Sequence, residues 1–343
     1  MLSAVMAGCG AMSEGWLRAI SQVPLAAERL ELAGFVDLDP GRARHLAREA
    51  GKPEAATGTD LDAMLERVKP DIVFDVVIPG ARRPVVETAL AHGCHVLSEK
   101  PMAESLADAA ALIEAARDAG RIHAVVQNRR FVPGIRRLRR VVEEGRIGRL
   151  TGVHCDFFVG AHFGGFREEM DHVLLLDMSI HTLDAARYLI GAAPQAVYCH
   201  ETNPPGSWYA HGAAASAIFE FPEGVTFTYR GSWCAEGANT SWEGAWRVTG
   251  TEGTATWDGA EDLRIGRVTG TEGLLRAVSP AEVPEPPDPG RTLGHASVID
   301  EFLSAVETGR LPETAAEDNI RSLAMVLAAI DSAERRARVT IDV

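Results

Sequence analysis

Long apolar runs are missing from this chain of 343 residues. No stretch approaches the roughly 20 consecutive apolar residues that a membrane-spanning helix needs. The short run Leu2–Ala7 has no charged leader ahead of it, so the expected location is the cytoplasm. Positive charge is also scarce, with 34 Lys and Arg against 48 Asp and Glu and a formal net charge of -14. That balance removes the basic surface on which nucleic acids and anionic membranes dock. The five cysteines, Cys9, Cys94, Cys155, Cys199 and Cys234, are odd in number and lack a C-x-x-C pair, which reads as reduced thiols rather than a disulfide framework. His154, His162 and His172 lack compact ligand spacing, so no metal is expected. No internal repeat is evident. What remains is a soluble chain with a small-molecule partner, long enough for two domains.

Glycine is present where it carries information. The run Leu2–Ala7 is followed by Gly8-Cys9-Gly10-Ala11-Met12-Ser13 and then a helical pattern. A strand that turns through glycine into a helix leaves backbone N–H groups and a positive helix end free for a pyrophosphate. Ser13 stands at the third glycine of G-x-G-x-x-G and is small enough to allow close packing of helix and strand. A second apolar run, Leu32–Val36, ends in Asp37, whose carboxylate can accept hydrogen bonds from ribose hydroxyls and repel a ribose phosphate. NAD is therefore expected over NADP, although Arg42 and Arg44 at the next helix soften the preference. Asp37, Asp39 and Pro40 also suit a turn and helix cap, a reading compatible with the first.

Residues 1–124 alternate strand runs (Ala4–Ala7, Leu32–Val36, Ile72–Ile78, His95–Leu97, Ile122–Val126) with helical segments (Met12–Ile20, Arg42–Ala50, Leu61–Val68, Pro84–His92, Leu106–Ala119). This pattern predicts a doubly wound parallel sheet of the Rossmann type. Asp60 and Ser105 read as caps, and Pro84 suits a first turn. Residues 125–343 differ in character. A basic helix carrying Arg129, Arg130, Arg136, Arg137, Arg139 and Arg140 reads as a solvated face. It is followed by a strand near Leu150–Val159, a glycine-rich loop at Gly160–Phe166 and an amphipathic helix at Val173–Ile190. Hairpins around Pro222–Gly224 and Gly250–Gly253, a proline-rich acidic loop at Pro280–Gly290, helices at Ala296–Glu307 and Glu317–Ala337 and a last short strand complete the chain. The expected fold class is α/β, a Rossmann domain followed by an α+β domain on a largely antiparallel open sheet.

Glu99-Lys100-Pro101 lies just after a strand, at the carboxyl edge where open α/β sheets bind ligands. Asp177 and His181 sit four residues apart on a predicted helix and share a face, so a hydrogen bond can orient the imidazole and raise its basicity. Asp184 is an alternative partner for His181. Trp208, Trp233, Trp242 and Trp246, with Asn239 and Ser241, offer aromatic faces and polar edges suited to sugars, although strand tryptophans are more often core. Trp233 and Asn239 are the favoured substrate contacts among them. His162 and Arg167 lie in the glycine-rich loop, a suitable lid.

Gly8-Cys9-Gly10, Val36-Asp37-Leu38-Asp39-Pro40, Glu99-Lys100-Pro101 and Asp177-x-x-x-His181, with Gln127-Asn128-Arg129-Arg130-Phe131, Gly145-Arg146-Ile147-Gly148 and Glu317-Asp318-Asn319, together resemble the Gfo/Idh/MocA family over nearly the whole chain. The resemblance implies nicotinamide-dependent oxidation or reduction of a sugar, cyclitol or polyol, in a homodimer or homotetramer built on the open sheet. Lys100 would bind the reacting oxygen, His181 would act as general acid/base, and Asp177 would orient His181 or hold a hydroxyl. Ile78, Pro79, Glu99 and Gln127 would join Gly8, Cys9, Gly10, Ala11, Met12, Asp37 and Arg42 at the cofactor, and Arg129 would join the substrate contacts. The family's histidine after the fourth strand is missing from Pro79-Gly80-Ala81-Arg82-Arg83, so its contact is absent or taken by an arginine. Two other readings stay open: a redox-neutral glycosidase that returns the hydride, and a non-catalytic dinucleotide sensor.

Overall fold

Apolar runs and amphipathic segments alternate through the first third of the chain. In the computed structural model, which describes residues 1–343, they become β1 (Leu2–Ala7), α1 (Ala11–Ser21), α2 (Ala26–Arg29), β2 (Leu30–Val36), α3 (Pro40–Glu49), β3 (Ala56–Gly58), α4 (Leu61–Val68), β4 (Ile72–Asp75), α5 (Pro79–Ala91), β5 (His95–Ser98), α6 (Leu106–Asp118) and β6 (His123–Val125). The six strands form one parallel sheet in the order β3-β2-β1-β4-β5-β6. The order reverses between β1 and β4, which makes that point the ligand crevice of a doubly wound sheet. Val5, Val73 and Val96 pack against Met64, Leu65, Val86, Leu90 and Leu112, all essentially without exposure.

Local chemistry accounts for most boundaries. Asp39 accepts from Gly41 N at 2.7 Å, Asp60 from Ala63 N at 3.1 Å and Ser105 from Asp108 N at 3.1 Å, so three helices begin where their caps stand. Two boundaries differ from the sequence reading. β4 stops at Asp75, and α5 begins at Pro79 with Pro84 inside it. Pro79 is the proline at the first helical position, where a missing N–H costs nothing, while Pro84 forgoes one intrahelical bond. β3 is three half-buried residues, too short for periodicity to reveal.

The later chain forms α7 (Pro133–Glu143), β7 (Leu150–Phe158), α8 (Ile180–Ile190), β8 (Ala196–Thr202), β9 (Ala214–Glu220), β10 (Thr226–Ser232), β11 (Ala245–Gly250), β12 (Gly253–Trp257), β13 (Leu263–Val268), β14 (Val278–Ala281), α9 (His295–Thr308), α10 (Ala316–Arg335) and β15 (Val339–Thr340). Nine strands make a second sheet, β14-β13-β12-β11-β7-β10-β9-β8-β15, in which only β7 and β10 pair in parallel. Burial alternates along β9 and β10: Phe219, Phe227 and Tyr229 face the covered side, and Ile218 and Arg230 face out.

Two units result. One comprises Met1–Asn128 with Leu293–Leu323, the other Arg129–Thr292 with Ala324–Val343. The single division after residue 124 read from the sequence has no counterpart for this return of residues 293–323. Within the first unit α9 is tied to the end of α2 by Arg29, which bonds Asp300 at 2.5 Å, Glu307 at 2.9 Å and Ser304 at 3.1 Å.

The arginine-rich segment is not uniformly a solvated face. Arg130 and Arg136 are 4% and 2% exposed. Arg130 makes two bonds of 2.6 Å to Asp184, and Arg136 lies 4.3 Å over Phe131 while donating to the Tyr188 hydroxyl at 2.8 Å. Their partners sit about fifty residues downstream on α8, so the charge pattern alone could not reveal the burial. Arg140 follows the expectation, pairing with Glu144 at the surface. All five cysteines are free, and no helix is long and apolar enough to cross a membrane.

Candidate active site

The carboxyl edge of the parallel sheet treats its helices in two ways. The helices after β2, β3 and β5 are capped by the side chains named above. Those after β1 and β4, which flank the switch point, start at Gly10 and Ile78 with no side-chain cap. The first-turn donors of α1 are therefore left for a ligand. Gly8 has φ +92, and a Cβ there would fall 2.7 Å from the Val76 carbonyl, so packing demands glycine. At Gly10 an added Cβ would meet nothing within 4 Å. That glycine is not needed by the protein's own packing, and the space it leaves is what close approach of a pyrophosphate requires. Ser13, buried, donates its hydroxyl to the Gly10 carbonyl.

Asp37 stands at the end of β2, where Oδ2 accepts from Cys9 N at 2.8 Å and Oδ1 from Asp39 N at 2.9 Å. Two backbone bonds fix the carboxylate and leave lone pairs for a diol. Cys9 is a structural thiol: burial, with Asp37 beside it, pushes its pKa up to about 12. Ala11 and Met12 are exposed at the start of α1, Ile78 is 75% exposed beside Pro79, and Arg42 is an exposed side chain near Asp39. Gln127 is fully buried, and neither atom of its amide meets a protein partner, which leaves a donor and an acceptor for a ligand. These features fit a dinucleotide.

Lys100 is half-buried on the loop after β5, followed by Pro101. Glu99 is turned inward: Oε1 accepts the Trp16 indole N–H at 2.7 Å and Oε2 the Lys100 backbone N–H at 3.2 Å. Arg82, the candidate replacement for the family's histidine, is 1% exposed. It donates to Asp75 at 2.7 Å, to the Val77 carbonyl at 2.7 Å and to the Pro101 carbonyl, so its donors are committed to protein. Arg83 lies at the surface with Glu87 and Asp108.

In the second unit Asp177 belongs to a π-helical turn, Leu174–Ser179, ahead of α8. Val173, Leu174, Leu175, Met178, Ser179 and Ile180 are all buried, so the turn presents a continuous covered face with Leu176 and Asp177 on the other side. Such turns often mark functional sites. Asp177 and His181 are both half-buried. Asp177 Oδ2 accepts from Arg167 Nε at 2.7 Å, and Asp184, the alternative partner for His181, is fully buried against Arg130. Arg167 lies 5.2 Å over the Phe163 ring and 5.0 Å over that of Phe166, both exposed aromatics.

The remaining candidates separate. Phe163 meets Trp233 at 5.0 Å and Trp242 at 6.2 Å. Trp233 is 2% exposed, and its indole nitrogen has no protein partner. Asn239 is exposed. His162 stacks on Trp208 at 3.7 Å and meets Glu236 at 3.0 Å. Arg129 pairs with Glu243, and burial lowers its pKa to about 10. Trp246 and Trp257 face one another across β11 and β12 as sheet residues. Sequence reasoning missed Trp16, whose bond to Glu99 spans 83 residues, and Asp75 and Ser98, which the fold brings together beside Arg82 and His123. No group of three or more metal-binding side chains comes together.

Comparison with known proteins agrees with this geometry. The profile described as "Oxidoreductase family, NAD-binding Rossmann fold" matches residues 2–127, and the GFO/IDH/MocA C-terminal domain profile matches residues 135–256. An uncharacterized protein y4oX of Sinorhizobium fredii is 29% identical, over 95% of this chain and 91% of its own. A D-apiose dehydrogenase of Paraburkholderia graminis is 26% identical, over 97% of this chain and 88% of its own. An oxidoreductase from Agrobacterium radiobacter, solved with NAD+, L-tartaric acid and magnesium, superposes with a TM-score of 0.85 at 23% identity, covering 99% of this chain and 98% of that one.

Proposed function

The chain belongs to the Gfo/Idh/MocA family of NAD-binding oxidoreductases, and from that premise we propose that it interconverts a secondary hydroxyl and a ketone, or a lactol and a lactone, on a sugar, cyclitol or related polyol. The observation that carries this is the pair of uncapped helix starts flanking the β1/β4 switch point, with Lys100 on the next loop of the same edge. NAD, when bound, accepts or returns the hydride.

The chain's residues supply the rest. Lys100 places a cation beside the reacting oxygen and lowers the cost of its developing negative charge. Only three of the 34 basic residues are lysines, Lys52, Lys69 and Lys100. His181 takes the hydroxyl proton in the oxidative direction and returns it in the reverse. Asp177, shared with Arg167, orients His181 or a neighbouring substrate hydroxyl. Gly8, Cys9, Gly10, Ala11 and Met12 form the pyrophosphate turn, Asp37 takes the ribose diol and favours NAD over NADP, and Ile78, Pro79 and Gln127 complete the cofactor contacts. Arg129, Arg167, Trp233, Asn239 and His162 face the substrate in this reading. The similarity to a D-apiose dehydrogenase supports a sugar-type substrate. A second copy of the chain covers the open face of the nine-stranded sheet, where Tyr198 and Ile218 are 47% and 49% exposed. The free thiols suit a cytoplasmic setting.

The test supplies NAD or NADP with a panel of aldoses, cyclitols and glycosides, and follows both reduced cofactor and released sugar. Accumulating NADH supports the dehydrogenase. Sugar release without NADH overturns it in favour of a redox-neutral glycosidase, and tight NAD binding with neither product points to a sensor.

A further inference from the structure

The loop that carries Lys100 is held by bonds that no step above uses. On its amino-terminal side, the Glu99 carboxylate is 8% exposed and spends one oxygen on the Trp16 indole and the other on the Lys100 backbone N–H. Trp16 is fully buried and is itself fixed by Phe74 at 5.2 Å and by the edge of His295 at 4.9 Å. On the carboxyl-terminal side, Arg82 fastens the Pro101 carbonyl, and its Nε bonds Asp75, which has no exposure at all. Asp75 also takes a bond from Ser98, whose hydroxyl lies 3.1 Å from His123 Nε2.

Burial raises the Asp75 pKa, and the Arg82 guanidinium and the Ser98 hydroxyl beside it oppose that rise; Ser98 and His123 Nε2 share a further hydrogen bond. Burial lowers the His123 pKa to about 3, which keeps the ring neutral. A buried ion pair adds little net stability compared with apolar residues of the same volume, because desolvation offsets the attraction. What Arg82 and Asp75 do secure is geometry: three carbonyl and carboxylate acceptors around one guanidinium admit a single placement of the Pro101 backbone.

We propose that Trp16 and Arg82 are positioning residues for Lys100, gripping its loop from the amino-terminal and carboxyl-terminal sides. Trp16 stands on α1, the helix whose open amino end offers the pyrophosphate donors, so its bond to Glu99 ties the placement of the lysine to occupation of the cofactor site. This rests on the reading of Lys100 as a catalytic residue.

The test compares the wild type with Trp16→Phe, Arg82→Lys and Lys100→Met in the full chain. Trp16→Phe keeps an aromatic ring at the position and deletes the N–H donor together with part of the indole's buried volume, an effect that the cycle with Glu99→Gln separates from loss of the bond. The first readout is reductive methylation of Lys100 against pH, by mass spectrometry, with and without NAD; Lys52 and Lys69 are internal references. The second is kcat against the KM for NAD with an aldose that the panel identifies, or methylation alone if none does. We expect Trp16→Phe and Arg82→Lys to change Lys100 reactivity at least threefold relative to the reference lysines. Trp16→Phe should also abolish the change that NAD produces. The kcat should fall about tenfold while the KM for NAD stays within twofold. In a double-mutant cycle with Glu99→Gln, the Trp16→Phe effect should shrink below threefold, because the partner it acts through has changed. Unaltered Lys100 reactivity in a folded Trp16→Phe protein overturns the proposal, whether or not Arg82→Lys folds. Full turnover in Lys100→Met overturns the catalytic reading, whereas an inactive Lys100→Met beside fully active, normally methylated Trp16→Phe and Arg82→Lys overturns the positioning role alone.

Discussion

Lys100 and Asp177 are held in opposite ways. The loop carrying the lysine is braced through its neighbours Glu99 and Pro101 by residues with almost no exposure, Trp16 at 0% and Arg82 at 1%, the latter paired with Asp75 at 0%, each on a helix or strand of the parallel sheet unit. Asp177 is bonded by Arg167, whose side chain is 30% exposed on a 3-10 turn, Gly165–Glu169, which Gly164 precedes and Gly165 opens, both at φ +65. Around Arg167 lie Phe163 and Phe166, 43% and 68% exposed. In the proposed reading, the group whose task is the same for every substrate is braced by buried residues, while the group facing the variable part of a substrate is held from a partly exposed loop. The π turn adds to this, since it presents Asp177 from a widened, weaker helical geometry.

The comparison breaks at once if Lys100 proves dispensable for the chemistry. Lys100→Met and His181→Ala should each lower kcat by about a hundredfold or more, the scale of a lost charge stabiliser or general base, with NAD affinity within twofold. Steady-state kinetics with NAD binding followed separately by fluorescence would check it. Normal turnover in His181→Ala would remove that residue from the mechanism. Asp37→Ala tests the rigid side again, away from the reacting atoms. Its carboxylate is fixed by two backbone N–H groups, so its loss should weaken NAD about tenfold, the scale of one charge-assisted bond pair, and relax discrimination against NADP. An unchanged ratio of NAD to NADP affinities would leave Asp37 as a turn residue only.

Rigid and adjustable regions also differed in how far they could be read from sequence. The parallel unit writes its boundaries locally: Asp39, Asp60 and Ser105 stand as caps where expected, and α4 spans Leu61–Val68 as the apolar spacing predicts. Its internal bracing was illegible, because Trp16 and Glu99 are 83 residues apart and neither residue type announces the other. In the second unit the hairpins across Pro222–Gly224 and Gly250–Gly253 carry turn signals and formed as expected. The helix carrying Asp177 begins instead as a π turn packed against β9 and β10, which no local pattern announces. The arginine run failed for the same reason: whether a charge is solvated or buried depends on Asp184 and Tyr188, which only the fold brings near.

Arg167→Ala probes the adjustable side. The Arg167–Asp177 pair is partly exposed, so its loss should cost about 1 kcal/mol, roughly fivefold, and fall mainly on the KM for sugar rather than on kcat. An equal fall in kcat with KM unchanged would show that Asp177 needs its arginine for the chemical step, and the contrast with Lys100 would disappear.

The smallest effect concerns stability near the same loop. His172 precedes the π turn at φ +51 and bonds Glu201 at 2.5 Å, with Glu334 at 3.4 Å. The hydrogen bond to Glu201 raises its pKa above the ordinary histidine value against the opposing effect of burial. A raised folded-state pKa means that the charged ring stabilises the fold fully below the unfolded pKa of about 6.5, and that this contribution fades as pH rises through the folded value. His172→Gln should therefore lower the unfolding free energy more at pH 5.5 than at pH 8.5, by less than about 1 kcal/mol once solvent screening of the partly exposed ring is allowed for, and the melting temperature at the two pH values would show it. Equal destabilisation at both pH values would assign His172 a steric role at its left-handed backbone position. A pH-dependent loss would show that the segment leading into Asp177 is held by a titrating contact.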